Sequence, residues 1–209
     1  MNRRTLGQKF ARLTTDAVTR NPRLWRVFRP LMRRQFDSIA DTWDTMRTDE
    51  SLAPFERALE GVSPPPADVL DLGTGTGEGA FAIARRFPEA RVVGVDVAKL
   101  MLARAERKTP PEQRDRVRFE AGDAAALRFE NASFDLVTHA NMIPFFDELA
   151  RVVRPGRQVL FAFSGGAETP IYVPFERLRA ELERRGFMEF AEFAAGHGTA
   201  LLARRGDRS

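Results

Sequence analysis

The chain has 209 residues, 43% of them hydrophobic and 30% charged, a balance typical of one well-buried globular domain with an extension. The absence of cysteine excludes a disulfide framework and thiolate metal sites, and two histidines leave little from which to build a metal centre. The charge is uneven, because residues 1–36 hold ten Lys or Arg against one Asp, a net of +9, whereas the other 173 residues hold 23 against 28, a net of −5.

The chain begins with a basic arm, residues 2–58, that is predicted to be helical. Asn21 is a favourable N-cap, and Pro22 is a favourable first helical residue. The apolar residues that follow share one stripe at helical spacing: Leu24, Val27, Phe28 and Leu31. Pro30 interrupts this stripe, so we expect a kink or two short helices.

The arginines of the arm allow three interpretations. They form the solvated face of helices that cap the core, they contact an anionic membrane surface, or they bind RNA. The scarcity of polar side chains that read bases makes a nucleic-acid partner unfavourable. No apolar run approaches the roughly 18 residues of a membrane span, and no apolar segment follows Arg3 and Arg4 as in an export signal, so we expect a cytoplasmic protein.

Residues 61–66, Gly-Val-Ser-Pro-Pro-Pro, divide the chain because they cannot continue a helix. We predict a basic helical cap or lid in residues 1–60 and a core domain in residues 61–209. Five short apolar or β-branched runs follow: Ala67–Leu72, Arg91–Asp96, Val117–Ala121, Phe134–His139 and Gln158–Ser164. Segments whose apolar residues have helical spacing lie between several of these runs, so strands and helices are predicted to alternate in the order β-α-β. Continuous apolar runs are typical of parallel strands buried on both faces, which indicates an α/β fold.

The C-terminal part predicts a change in strand direction. Met188–Ala195 and Thr199–Arg204 are two strand-like runs separated by a Gly-His-Gly turn. We therefore expect the sheet to finish with an antiparallel edge pair, and we expect His197 to be a turn residue.

The junction of the first strand and first helix carries the strongest functional signal. Gly73, Gly75 and Gly77 allow a sharp turn and a close approach of a ligand to main-chain N–H groups. Asp71 precedes the first glycine by two residues, and Asp96 ends the next strand. A carboxylate at the second position can accept hydrogen bonds from both hydroxyls of a ribose.

The residue at position 78 discriminates between a dinucleotide and other ligands that contain a nucleoside. A dinucleotide fingerprint would place its third glycine there, but Glu78 puts an anion where a pyrophosphate would lie. A ligand that ends in an amino group would find acceptors in Asp71 and the loop carbonyls. The ligand that combines adenosine with a zwitterionic amino-acid tail is S-adenosylmethionine. We expect no metal ion in the site.

These segments resemble the class I S-adenosylmethionine-dependent methyltransferases, specifically the small-molecule subgroup called methyltransferase type 11. VLDLGTGTGEGA, residues 69–80, resembles motif I, and VVGVDVAKLML, residues 92–102, resembles motif II. VRFEAGDAAALRF at 117–129 and the segment 134–161 resemble the later motifs. The resemblance implies a doubly wound, seven-stranded, mostly parallel sheet and the cofactor S-adenosyl-L-methionine. It also implies methyl transfer to a small, apolar or aromatic acceptor on oxygen, carbon or nitrogen.

The resemblance also implies a set of cofactor-binding residues at the carboxyl ends of the strands. They are Asp71, Gly73, Thr74, Gly75, Gly77, Asp96, Val97, Met101, Gly122, Asp123, Ala124 and His139. Among them, Asp123 would meet the adenine amino group, and Val97 and Met101 would line the adenine ring.

A segment of the arm resembles the lid of quinone-type methyltransferases. In Phe36-Asp-Ser-Ile-Ala-Asp-Thr-Trp43-Asp, the two aromatic residues Phe36 and Trp43 are lid candidates, or else Trp43 only ties the arm to the core. Asn141 and Phe145 are candidates to line the acceptor pocket, although Phe145 can instead help to pack the fourth helix.

His139 is the candidate general base, because it follows the fourth strand and an imidazole exchanges protons near neutral pH. It can equally line the pocket without taking a proton. Two other functions remain open: a non-catalytic protein that binds S-adenosylmethionine or S-adenosylhomocysteine, and a nicotinamide-dependent oxidoreductase. Glu78 and the lack of a Tyr-x-x-x-Lys pair after Tyr172 weaken the second.

Overall fold

The arm is helical in the computed structural model, which describes residues 3–46 and 49–207. Its helices are α1 (Arg3–Arg20), α2 (Trp25–Ile39) and α3 (Ala53–Leu59), joined through short 3-10 turns at Pro22–Leu24, Asp44–Met46 and Asp49–Leu52. The side chain of Asn21 accepts a hydrogen bond of 3.2 Å from the Arg23 N–H, as expected of a cap. The helix α2 runs through Pro30 without a break, so the arm does not divide into two short helices at this proline.

The core is one seven-stranded sheet flanked by helices. The strands are β1 (Asp68–Leu72), β2 (Arg91–Asp96), β3 (Val117–Ala121), β4 (Phe134–Ala140), β5 (Val153–Phe163), β6 (Phe187–Ala195) and β7 (Gly198–Arg205). Their order in the sheet is β3-β2-β1-β4-β5-β7-β6. The first five strands are parallel, and β7 is antiparallel to both β5 and β6. This topology confirms the predicted α/β fold and the antiparallel edge pair.

Four helices follow the strands: α4 (Glu78–Arg86), α5 (Lys99–Lys108), α6 (Phe146–Val152) and α7 (Phe175–Glu183). Apolar side chains of α6 and α7 pack on one face of the sheet, and those of α4 pack on the other. Burial on both faces explains why β1, β2 and β4 read as continuous apolar runs.

The arm packs on the core through both of its parts. Ala11, Val18, Trp25 and Met32 belong to the same apolar cluster as α6 and α7. In contrast, Phe55, Ala58 and Leu59 of α3 pack with α4 on the opposite face of the sheet. The α3 helix therefore packs on the same face of the sheet as α4, whereas α1 and α2 pack on the opposite face. We refer to α1 and α2 as the cap, and the division of the chain between residues 60 and 61 stays a prediction.

The sheet register brings the carboxyl ends of the central strands to one level. Leu72 of β1 pairs with Val95 of β2 and with His139 of β4. Loops that leave these three strands consequently meet at one edge, the usual place for a ligand in an open α/β sheet. Within the described residues, no helix is both long and apolar enough to cross a membrane.

Candidate functional site

A cavity lies at this edge of the sheet, between the strand ends and the cap. It is lined from below by the loop after β1, by the end of β2 and by the segment after β4, and from above by α2. The predicted residues that line it are Phe36, Trp43, Asp71, Gly73, Thr74, Gly75, Asp96, Val97, Met101, Gly122, Ala124, Asn141 and Phe145. The structure thus brings together most of the residues that sequence reasoning selected.

The loop after β1 needs glycine for two different reasons. Gly73 has a φ of +65°, and a Cβ there would lie 2.7 Å from the sulfur of Met142. Gly77 has a φ of +90° and precedes α4, where a Cβ would lie 2.8 Å from the ring of Phe81. Gly73 therefore keeps the backbone close to the cavity, whereas Gly77 serves the turn into the helix and does not line the cavity.

Asp71 is a buried carboxylate at the floor of the site, with 1% of its surface exposed. Its Oδ1 accepts a hydrogen bond of 2.7 Å from the Thr138 hydroxyl. Gly79 gives it room, because a Cβ at that position would lie 3.1 Å from the Asp71 Oδ2. The carboxylate is thus fixed between β1, β4 and the first turn of α4.

Asp96 is held at the end of β2 by two backbone amides. Its Oδ2 accepts from the Gly75 N–H at 3.0 Å, and its Oδ1 accepts from the Ala98 N–H at 2.8 Å. Desolvation by burial raises the pKa of this carboxyl from 3.8 to about 6, and the charge of Asp71 acts in the same direction. The amides oppose the shift without cancelling it. The Asp96 carboxyl is therefore a partly buried acceptor, and any further hydrogen-bond donor stabilises its ionised form.

Asp123, which the sequence assigns to the cofactor site, is covered by the cap. Its Oδ1 accepts from the Trp25 Nε1–H at 2.8 Å and from the Ala125 N–H at 3.0 Å. Its Oδ2 accepts from the Arg29 guanidinium at 2.6 Å. With both oxygens engaged by other groups, Asp123 does not line the cavity.

The predicted lid is anchored by an ion-pair network. Trp43 stacks edge-on against Phe36 with ring centroids 5.6 Å apart. The next residue, Asp44, accepts from the Thr76 hydroxyl at 2.6 Å, from Arg104 at 2.9 Å and from Lys108 at 3.0 Å. Partial burial acts to raise the pKa of Asp44, but these three partners outweigh it and lower the pKa to about 2. The Asp44 carboxylate therefore ties the lid to the loop after β1 and to α5.

His139 lies beneath the site rather than in it. The side chain is 1% exposed and tilts against the Phe161 ring at 5.0 Å. Burial lowers the pKa of His139 to about 3, and the nearby Ile143 backbone opposes the shift only weakly, without completing a hydrogen bond. The imidazole is thus neutral at physiological pH and does not line the cavity. Its role as a general base stays a prediction.

Asn141 and Phe145 both line the cavity, but Asn141 is held by hydrogen bonds and Phe145 by apolar packing. The Asn141 amide bridges the ends of β4 and β5, since it accepts from the Ser164 N–H at 2.9 Å and donates to the Ser164 hydroxyl at 3.1 Å. The Phe145 ring packs on Trp25 with centroids 5.4 Å apart. Asn141 therefore shapes the segment after β4, while Phe145 forms part of an apolar wall.

Several cavity residues were missed by sequence reasoning. They are Trp25, Met32, Leu52, Met142, Ile143 and Ile171. The spacing of Trp25, Met32 and Phe36 places the three side chains on one face of a helix, a signal that the sequence does contain. Leu52 and Ile171 come from distant segments, and no local pattern marks them.

Comparison with known proteins identifies the central part of the chain. Residues 69–160 match the family model described as a methyltransferase domain. The chain is 37% identical over 146 residues to the demethylmenaquinone methyltransferase of Deinococcus radiodurans, covering 63% of this chain and 60% of that protein. It is 34% identical to the malonyl-[acyl-carrier protein] O-methyltransferase of Halorhodospira halophila, covering 66% and 50%. The chain therefore spans only about half to two thirds of the length of these curated relatives.

Solved structures show the same fold. The phosphoethanolamine N-methyltransferase 2 of Haemonchus contortus, in complex with S-adenosyl-L-methionine, has a TM-score of 0.60 and 19% identity, covering 76% of this chain and 53% of that chain. The [4+2]-cyclase SpnF has a TM-score of 0.58 and 16% identity, covering 73% and 82%. One fold thus carries different reactions, and the reaction must be argued from the site.

Proposed function

We propose that the chain is a class I, S-adenosylmethionine-dependent methyltransferase that transfers a methyl group to a small apolar aromatic acceptor. The match of residues 69–160 to the methyltransferase domain model and the likeness to named methyltransferases support this proposal. The observation that carries the proposal is the cavity itself, which joins the buried Asp71, the partly buried Asp96 and a glycine loop to an apolar roof. The carboxylates suit the cofactor, and the roof suits the acceptor.

The residues present fit the cofactor. Thr74 lines the cavity, and its hydroxyl is buried without a hydrogen-bond partner in the described part of the chain. We propose that Asp96 accepts from ribose hydroxyls, and that Asp71 together with the loop carbonyls accepts from an ammonium group. When bound, S-adenosylmethionine supplies a methyl group on a positively charged sulfur, so the protein needs no nucleophile of its own.

The acceptor class follows from the opposite wall of the cavity. Trp25, Met32, Phe145 and Ile171 give this wall an apolar surface, and none of the described residues lining the cavity is Lys or Arg. The curated relatives include enzymes named for demethylmenaquinone, for malonyl-[acyl-carrier protein] and for trans-aconitate. Because an acceptor with free carboxylates calls for cationic partners, a quinol-like or phenolic ring fits this wall better.

The chain's own residues would contribute alignment and exclusion of water. Phe36 and Trp43 cover the cavity, and the Asp44 network holds them in place. A displacement at carbon requires the nucleophile, the methyl group and the sulfur to be in line, so positioning accounts for most of the rate gain. A phenolic acceptor that has released its proton to water before it enters the cavity needs no side-chain base, which is consistent with the buried His139.

A ligand screen followed by a transfer assay tests the proposal. S-adenosylmethionine and S-adenosylhomocysteine at 100 times Kd are expected to raise the melting temperature by about 5 to 10 °C, whereas NAD is not. Radiolabel from the methyl group is then expected in a reduced short-chain naphthoquinone, and not in trans-aconitate or a malonyl thioester. Transfer to the acids alone would contradict the acceptor class.

The two alternative functions give different results in the same experiment. A shift with both adenosyl ligands and no transfer to any acceptor would leave a non-catalytic binding protein. A shift with NAD alone would overturn the methyltransferase proposal in favour of an oxidoreductase.

A further inference from the structure

The outward side of α2 and the turn before it combine exposed apolar residues with arginines. Leu24, Val27 and Leu31 are 36%, 66% and 48% exposed, which is high for aliphatic side chains. Exposed arginines flank them. We call this surface the α2 outer face: Arg23, Leu24, Arg26, Val27, Leu31 and Arg34.

Helical geometry explains why these residues cannot be buried together with the rest of α2. At about 100° per residue, Val27, Leu31 and Arg34 lie on the side opposite Trp25 and Met32. Trp25 and Met32 are 7% and 2% exposed and line the cavity. The helix therefore has two apolar sides, of which only the inner one is covered by the protein.

The three arginines of the α2 outer face lie apart from the carboxylates of the described residues. No carboxylate among the described side chains forms an ion pair with Arg23, Arg26 or Arg34, whereas Arg29, on the inner side, binds Asp123 at 2.6 Å. The α2 outer face is basic, although residues 37–209 of the chain carry a net negative charge. An occupant of the face must therefore supply both negative charge and an apolar phase.

An anionic lipid bilayer supplies both, and other occupants supply one or neither. A second copy of the chain would bring arginines against arginines. Nucleic acid would supply phosphates but would leave Val27 and Leu31 in water. Aliphatic side chains that enter the acyl boundary while arginines meet headgroup phosphates are the typical arrangement of an interfacial helix.

We propose that the α2 outer face docks on an anionic lipid bilayer and holds the cavity mouth at the membrane surface. The inner side of the same helix forms the roof of the cavity, so the bilayer lies about one helix diameter, roughly 10 Å, from the acceptor. The biological sense of this contact rests on the proposed function, because an apolar acceptor concentrates in lipid. The contact itself is independent of turnover.

Vesicle flotation of the full chain tests the contact. The protein is expected to float with vesicles of phosphatidylglycerol and phosphatidylcholine and not with phosphatidylcholine alone, and 1 M NaCl is expected to release it. The variant R23Q/R26Q/R34Q is expected to lose about 100-fold in vesicle affinity, at roughly fivefold for each arginine near the surface. The variant V27S/L31S is expected to lose about tenfold.

Matched variants separate the face from total charge and total hydrophobicity. R107Q/R114Q/R128Q removes the same charge from exposed arginines on other elements, and M188S removes a half-exposed apolar side chain from β6. Both are expected to float as the parent chain does. Equal losses in control and test variants would overturn the proposal, because the contact would then be nonspecific.

Cofactor binding and a nucleic-acid probe complete the design. Each variant is titrated with S-adenosylhomocysteine, so that flotation lost with cofactor binding intact supports the docking face. No flotation by a parent chain that binds cofactor would overturn docking and leave the proposed function standing. Tight binding of the parent chain to a fluorescent RNA, with no flotation, would show that the arginines serve nucleic acid instead.

Discussion

We predict that the partly buried carboxyl of Asp96 makes cofactor affinity depend on pH. Its pKa is about 6, and ribose hydroxyls donate to the ionised form more strongly than to the protonated form. At pH 5 only about one molecule in eleven is ionised before binding, so affinity for S-adenosylhomocysteine is expected to be about tenfold weaker than at pH 7.5. The Asp96→Asn variant is expected to bind weakly at both values, with little slope.

The same shift predicts an opposite effect on the stability of the ligand-free protein. Because the pKa of Asp96 is raised above 3.8, the folded chain binds this proton more tightly than the unfolded chain does. The stability gained below pH 4 is therefore lost as the pH rises through 6, by roughly 3 kcal/mol for a shift of about two units. Asn keeps only one of the two amide hydrogen bonds, worth about 1 kcal/mol, so the variant is expected to be more stable by about 2 kcal/mol at pH 7.5.

Isothermal titration at pH 5.0, 6.0 and 7.5 measures the first effect, and denaturant unfolding without ligand measures the second. The ratio of wild-type to Asp96→Asn affinity at each pH cancels any titration of the ligand itself. The exposed Asp115→Asn is the matched control and is expected to change neither quantity. A wild-type affinity that is flat between pH 5.0 and 7.5, or a variant that keeps the wild-type slope, would refute this account of Asp96.

Three further substitutions test contacts around the cavity. Trp25→Phe removes one of the two donors to the Asp123 Oδ1 and is expected to tighten cofactor binding about fivefold by titration. Weaker binding would show that the tryptophan helps to hold the ligand. Asp44→Asn removes the charge that anchors the lid and is expected to lower Tm by about 2 to 4 °C in a thermal melt, a loss that should shrink in 1 M NaCl. Gly73→Ala is expected to lower the free energy of unfolding by roughly 2 kcal/mol in a denaturant melt. Gly186→Ala is the control with a smaller expected loss, because its φ is also positive but its added Cβ would meet nothing within 4 Å. Equal losses would mean that crowding at residue 73 is unimportant.

The parts of the site that the sequence predicts are those encoded locally. The glycine loop and Asp96 follow directly from strand ends, so motif spacing places them on the cavity without knowledge of the rest of the fold. Asp123 shows where this reasoning stops. Its partner Trp25 is 98 residues away, and only the packing of α2 on the core brings the two together.

The strand boundaries show a related limit. β5 begins at Val153, five residues before the predicted run, because Val153 pairs with Phe134 across a register shift. Pro155 and Gly156, which look like turn residues, lie inside this register shift, where residues 154–157 do not pair with β4. Their local preference is therefore kept within the strand, and Gly156 has a φ of +73°. Tertiary pairing of this kind leaves no periodic signal in the sequence.

Asp123 is bound by the cap, and the sequence resemblance predicts that it also meets a bound nucleoside. If an adenine amino group takes the position that the sequence resemblance implies, it shares the Asp123 carboxylate with the cap donors Trp25 and Arg29. The Asp123 Oδ1 already accepts two hydrogen bonds, so an amino group that binds to this oxygen displaces the Trp25 donor. The Asp123 carboxylate then exchanges one hydrogen-bond donor for another, so the net free-energy cost of displacing the helix is small. Ligand affinity and cap position would consequently be linked, and by reciprocity whatever holds α2 away from the core would favour the ligand by the same factor.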